Sequence, residues 1–221
     1  CRSIQPESAT ESRSGILNKL TELDKILPDL KFEDLQHTQT ELGCYQVDVM
    51  IKEIYCMSSK PLENGDELVV SDWIWGVCIG CGEGSLQSWE LREQYSRQAI
   101  LTGELTCQKC SLVPLRGSNK RRRTKENTLC ACMRLVLLLC NPEDEEKSLL
   151  ASLAGDHAHQ FLVVEPKFSW ILSDADPTAK ETSQKLSTLL DSNLSVTLGI
   201  SKYIISSGIT KFQITNTKLK I

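Results

Sequence analysis

Two cysteine pairs stand out by their spacing: Cys78 and Cys81 in "GVCIGCGEG", and Cys107 and Cys110 in "CQKC", with 25 residues between them. A CxxC turn points two thiolates toward one centre, and two such knuckles supply the tetrahedral four-sulfur shell that Zn²⁺ accepts in closed structural sites. Gly76, Gly80, Gly82 and Gly84 surround the first knuckle and let it turn without a steric penalty. A redox dithiol of the thioredoxin kind would need one such pair opening a helix in a βαβ setting, not two pairs. The expectation is one structural Zn²⁺ on Cys78, Cys81, Cys107 and Cys110, with no coordination position left for water or substrate.

The other reactive residue types do not assemble into a catalytic pattern. "DHAH" places His157 and His159 together, but nothing else pairs with them in sequence, and the stretch reads as a surface loop. There is no Ser/His/Asp grouping, no phosphate loop and no carboxylate pair in a catalytic setting. The chain reads as a binding protein rather than an enzyme. "NKRRRTK" (119–125) concentrates positive charge in Lys120, Arg121, Arg122, Arg123 and Lys125. These are the candidate phosphate contacts for single-stranded DNA, with Trp89 or Tyr95 between the cysteine pairs as candidate stacking rings. A solvated loop or an import signal are the other readings of the same run.

Composition weighs against a dedicated nucleic-acid module. The net charge is -4 and aromatic residues are only 5% of 221. Single-strand binding usually needs a positive groove and exposed rings, so both values shift weight toward protein contact. Trp73 with Trp75, and Phe168 with Trp170, are expected in the core. No apolar run approaches the length that spans a membrane. The first residues, "CRSIQPESATESRSG", lack an initiator Met and a signal-peptide pattern, and read as the start of a piece of something longer. Ten cysteines include Cys44, Cys56, Cys130, Cys132 and Cys140 in or beside apolar runs. As small buried hydrophobes they fit a reducing, intracellular compartment.

The elements that must position these residues follow from periodicity. Residues 1–13 read as a flexible lead-in, followed by an amphipathic helix with Leu20, Leu23 and Leu27 among its apolar positions and Pro28 at its end or kink. "CYQVDVMIKEIYCM" alternates as a half-buried strand with Tyr45, Val47, Val49 and Ile51 on one face. "PLENGDE" is a turn, and "ELVVSDWIWGVCIG" is a second strand leading into the first knuckle. "LCACMRLVLLLC" and "HQFLVVEPKFSWIL" read as strands, 177–193 as a helix with Leu186, Leu189 and Leu190 inward. "LSVTLGISKYII" and "ITKFQITNTKLKI" are closing strands joined through Ser206, Ser207 and Gly208. The pattern predicts a mainly β protein with some α, in a small closed or half-closed barrel.

A strand, two CxxC pairs, an apolar strand, a further strand, a helix and two closing strands resemble, in that order, the C-terminal OB-fold of the replication protein A large subunit. There a zinc ribbon interrupts the barrel near its first strands. Over residues 44–221 the sequence is most similar to the shieldin subunit 2 family, on the quartet Cys78, Cys81, Cys107, Cys110 and the closing "LSVTLGISKYIISSGITKFQITNTKLKI". The resemblance implies an OB-fold over 44–221 with a zinc ribbon at about 76–114, after a lead-in and helix over 1–43. It also implies a non-enzymatic nuclear scaffold of double-strand break repair that protects ends from resection and favours non-homologous end joining. Its implied partners are the smallest shieldin subunit and, weakly, single-stranded DNA.

Overall fold

The computed structural model describes residues 20–37, 41–56, 70–80, 85–111, 127–172, 176–192 and 194–220. The framework is a long strand β2 (Gly43–Cys56), an apolar strand β5 (Leu129–Asn141), β6 (Asp144–Ala154), β7 (Ser195–Ile204) and β8 (Thr210–Thr215). β2 pairs along its first half with β7, from Gly43↔Lys202 to Met50↔Ser195, and along its second half with β5, from Met50↔Cys140 to Cys56↔Leu135. A register shift between Ile51 and Glu53 bends β2 where it passes from one neighbour to the other. β5 continues antiparallel onto β6, β6 meets β8 in parallel at Ala151↔Phe212, and β8 returns antiparallel to β7. The circuit β2–β5–β6–β8–β7–β2 is a closed five-strand barrel with one helix-bearing connection between β6 and β7: an OB-fold.

The alternation read from the sequence sets the inward face. Val47, Val49, Ile51 and Ile54 of β2, Leu135, Leu137 and Leu139 of β5, and Leu149, Ala151 and Leu153 of β6 are buried. Trp73, Phe168 and Trp170 join them, as expected of core rings. Helix α6 (Pro177–Asp191) carries Leu186 and Leu189 inward, and its first turn is capped by the Asp176 carboxylate, which accepts from the Thr178 N–H at 2.9 Å. Outside the barrel circuit, β3 (Ile74–Cys78) pairs with the first half of β5, and β4 (Ser85–Gln87) pairs with β3. β5 thus belongs to the barrel at one end and to a smaller sheet at the other.

Several expectations change; among them, Val70–Trp73 is a 3-10 turn ahead of β3 rather than part of that strand, and Cys130 is exposed rather than a buried hydrophobe. The described part of the N-terminal segment is not a helix: Thr21–Leu23 is a strand, β1, paired antiparallel with the last strand β9 (Thr217–Leu219). Leu30 then donates its N–H to the Gln46 carbonyl. Leucines three and four apart satisfy a helical template, but a strand edge awaiting a partner and Pro28 at the next bend decide against it. Residues 14–19, where that helix would begin, lie outside the described residues. The helix that does form is a short one, α1 (Phe32–Gln36), with Phe32 and Leu35 in the core. The "HQFLVV" and "FSWIL" stretches form no strand; Asp156–Leu162 is a helix, α5, and Phe168–Ile171 a 3-10 turn. Ala158, Phe161 and Leu162 are the buried stripe, so three- and four-residue spacing outweighs β propensity there. His157 and His159 are therefore helical, not on a loop. Finally, β6 begins "DEEK", a charged start that hides a strand whose apolar half comes later.

Candidate functional site

Between β3 and β5 the chain builds a small module from the residues that separate the cysteine pairs. Helix α2 (Ser88–Gln94) starts with a capping box, in which Glu90 accepts from the Gln87 N–H at 2.7 Å and Gln87 caps the third helical residue. Helix α3 (Arg97–Thr102) is capped by Ser96, whose hydroxyl accepts from the Ala99 N–H, and stops at Gly103, which adopts φ 73°. Leu91, Ile100, Leu105 and Leu129 are buried in the module and belong to the same hydrophobic core as the barrel. Gly76, read from sequence as a knuckle residue, lies inside β3; a Cβ there would meet Leu91 at 3.0 Å, so its role is close packing of α2 on the strand.

The start of β5 brings the two halves of the cysteine motif together. Leu129 lies opposite Cys78 in the β3 ladder. On its other side Leu129 donates its N–H to the Leu105 carbonyl at 2.8 Å, and Cys107 donates to Asn127 at 2.7 Å. Cys78 and Cys107 are thereby held on either side of one strand, and helix α4 (Gln108–Ser111) turns Cys110 back toward them. The sulfurs of Cys78, Cys107 and Cys110 lie within 4.8 Å of one another. Cys78 and Cys110 are 3.6 Å apart, Sγ to Sγ. Zinc–sulfur bonds of about 2.3 Å in a tetrahedron place two sulfurs about 3.8 Å apart, so the donor set fits zinc. A disulfide, at about 2.05 Å, is excluded for this pair. Cys81, the fourth expected ligand, lies outside the described residues. The Tyr95 hydroxyl donates to the Thr106 carbonyl at 2.6 Å. Burial, and then the charge of Cys107 and Cys78, push its pKa up, so this phenol stays protonated beside the cluster.

The candidate DNA contacts Lys120, Arg121, Arg122, Arg123 and Lys125 also lie outside the described residues. Trp89 is exposed on α2, its indole N–H given to Gln87 at 2.9 Å, whereas Tyr95 is half-buried and engaged as above. Trp75 sits in β3 with the Arg134 guanidinium 4.7 Å above its ring. The outer face of barrel strands β5 and β6, where OB-folds hold oligonucleotides, carries no ring on those two strands. Cross-strand pairs place Tyr55 beside Val136 and Leu138 beside Leu150 there. Sequence reasoning missed this aliphatic stripe, although "RLVLLLC" alternates into it once the inward set is known.

The Nδ1 of His157 and Nε2 of His159 are buried without a hydrogen-bond partner among the described residues. Burial lowers the His159 pKa against the opposing pull of Asp156 and Glu165. Below the ordinary value of 6.5 the unfolded chain therefore takes up a proton that the folded chain refuses. Stability is complete above that pH and declines as pH falls through it. His159→Gln is expected to lose less thermal stability than the parent between neutral and mildly acidic buffer. An equal loss in both proteins would show that His159 takes no part in the acid response.

No protein-family model matches the chain, and no curated protein matches it. Among solved structures it is similar to a chain of the crystal structure of fission yeast Pot1 and Tpz1, with a TM-score of 0.49 and 8% identity over 90% of this chain and 96% of that one. The fold assignment rests on the strand order and registers given above.

Proposed function

We propose that this chain is a non-enzymatic scaffold module of the shieldin type, acting in the nucleus at double-strand breaks and favouring end joining. Its zinc ribbon, on Cys78, Cys107, Cys110 and Cys81, locks the first barrel connection, and its main partner is a protein, the smallest shieldin subunit. Single-stranded DNA is held weakly. What supports protein over DNA is the face of β5 and β6. An OB-fold that grips bases presents stacking rings, each worth about 1–3 kcal/mol. Here the described outward residues on those strands include Val136, Leu138 and Leu150, and the other tryptophans of the chain, Trp73, Trp75 and Trp170, are in the core. The apolar stripe suits the core of a protein interface, and the lack of rings on these two strands weighs against base stacking. The alternative is a stand-alone DNA binder of the replication protein A type, using the 119–125 loop and Trp89.

Paired titrations separate the two. DNA affinity should fall steeply with salt: four phosphate contacts give a single-strand slope of about -3, and neutralising Arg121, Arg122 and Arg123 flattens it by about two units. Binding of the smallest shieldin subunit should survive those substitutions and fall with salt far less steeply than DNA binding, because protein contacts release no condensed counterion atmosphere. Tight DNA binding indifferent to the arginines, with no measurable affinity for that subunit, would reverse the ranking.

A further inference from the structure

A cleft of about 1100 Å³ opens on the barrel wall away from the cysteine module, between α1 with the segment before it and the outer edge of β2. Its apolar lining comes from Leu30, Phe32, Met50, Pro142 and Leu194. Its charge is one-sided: Asp29, Glu33, Asp34, Asp48 and Glu143 line it against Lys31. Lys147, outside that lining, pairs with Glu33 at 2.6 Å and with Asp144 at 3.3 Å. A phosphate backbone would be repelled here, whereas lysine or arginine side chains would be drawn in.

The backbone adds a second feature. Gln46 turns both peptide groups away from β7, accepting from Leu30 and donating to Pro28, each at 3.0 Å. Two pairs further along, Met50 faces Cys140 of β5. Strand alternation puts the Asp48 N–H and C=O on that same edge, midway between these two pairings, with Thr197 opposite it on β7 as a non-hydrogen-bonded pair. No backbone partner takes the Asp48 groups on the cleft side among the described residues. The groove thus offers a short stretch of open strand edge, an apolar floor and a surplus of carboxylates. An extended peptide uses such an edge for main-chain bonds and alternates its side chains between floor and rim.

We propose that this cleft seats an extended, arginine- or lysine-bearing segment of a protein partner. The inference rests on the protein-contact reading above for the kind of occupant, and names the surface and the chemistry.

The test uses the zinc-loaded chain, isotope-labelled, with a short capped peptide of alternating arginine and valine as the probe. Amide shifts should concentrate on Leu30, Gln46, Asp48 and Met50. Affinity should fall about tenfold in Glu143→Lys and again in Asp48→Lys, each checked for an unchanged melting temperature. A peptide with glutamate for arginine should not bind. Shifts centred elsewhere, or affinity indifferent to both reversals, overturn the proposal, as does oligothymidine competing for the same amides. Self-association relieved by Glu143→Lys would give the cleft to a second copy of this chain instead. The smallest shieldin subunit separates the two readings. Binding that ignores the reversals sinks the cleft and spares the scaffold, whereas cleft-specific peptide binding without subunit binding does the opposite.

Discussion

Cys107→Ser is expected to take the bound zinc from one per chain to none and to unfold the module between β3 and β5. Thiolate zinc sites of this kind contribute about 10–16 kcal/mol of apparent binding free energy near neutral pH. A whole domain is stable by about 5–15 kcal/mol, so loss of the metal exceeds what Leu91, Ile100, Leu105 and Leu129 can offset by packing alone. The damage should spread. Leu105 is bonded to Leu129, the first residue of β5, and Cys107 to Asn127 just before it, and β5 is also a barrel stave. The melting temperature of the barrel should drop with the module, and chelation of the parent protein should reproduce the effect. Cys130→Ser is the control, because Cys130 is exposed and outside the cluster. Metal analysis of reduced, folded protein that finds no zinc would sink this account, as would a Cys107→Ser variant that keeps both metal and melting temperature.

Gly199→Ala is expected to cost at least about 3 kcal/mol, at or beyond the upper end of overpacking effects. A Cβ at Gly199 would lie 2.3 Å from the Thr215 carbonyl oxygen and 3.1 Å from a methyl of Leu27. The first obstacle is backbone and cannot rotate away. Gly199 pairs with Gln46 on one side and Thr215 on the other, and its N–H donates to the Thr217 hydroxyl at 2.8 Å. Thr217 in turn donates to the Thr215 carbonyl across Asn216, which adopts φ 50°. The chain thus folds over Gly199 as it passes from β8 to β9, and a side chain there would push β7 from β8 where the barrel closes. Gly208→Ala is the comparison: φ is 78° but nothing lies within 4 Å, so only the backbone penalty of about 1–2 kcal/mol remains. Equal denaturation midpoints for the two variants would refute the crowding argument.

Features that depend on short spacing are legible in the residues alone. Alternation over residues 44–56 sent Val47, Val49 and Ile51 inward because successive strand side chains point to opposite faces, whatever the partner. The apolar run at 129–140 had to be a strand buried on one face, and Asp176 before Pro177 had to start a helix. The CxxC spacing named Cys78, Cys107 and Cys110 as ligands, and it brings Cys110 beside Cys107 locally, because one such turn is a local device. Features that need a partner distant in sequence emerge only in the folded chain. Leucines at 20, 23 and 27 fit a helical stripe, yet β9, almost two hundred residues later, supplies a strand edge that claims Thr21–Leu23. Ladder hydrogen bonds to a ready edge outweigh an intrinsic preference of a few tenths of a kcal/mol per residue. Likewise no local pattern announces that Leu129 lies between Cys78 and Leu105, which sets the two knuckles face to face. The acidic cleft is of the same kind: its carboxylates come from three separate stretches, 29–34, Asp48 and Glu143, and only barrel closure gathers them on one wall.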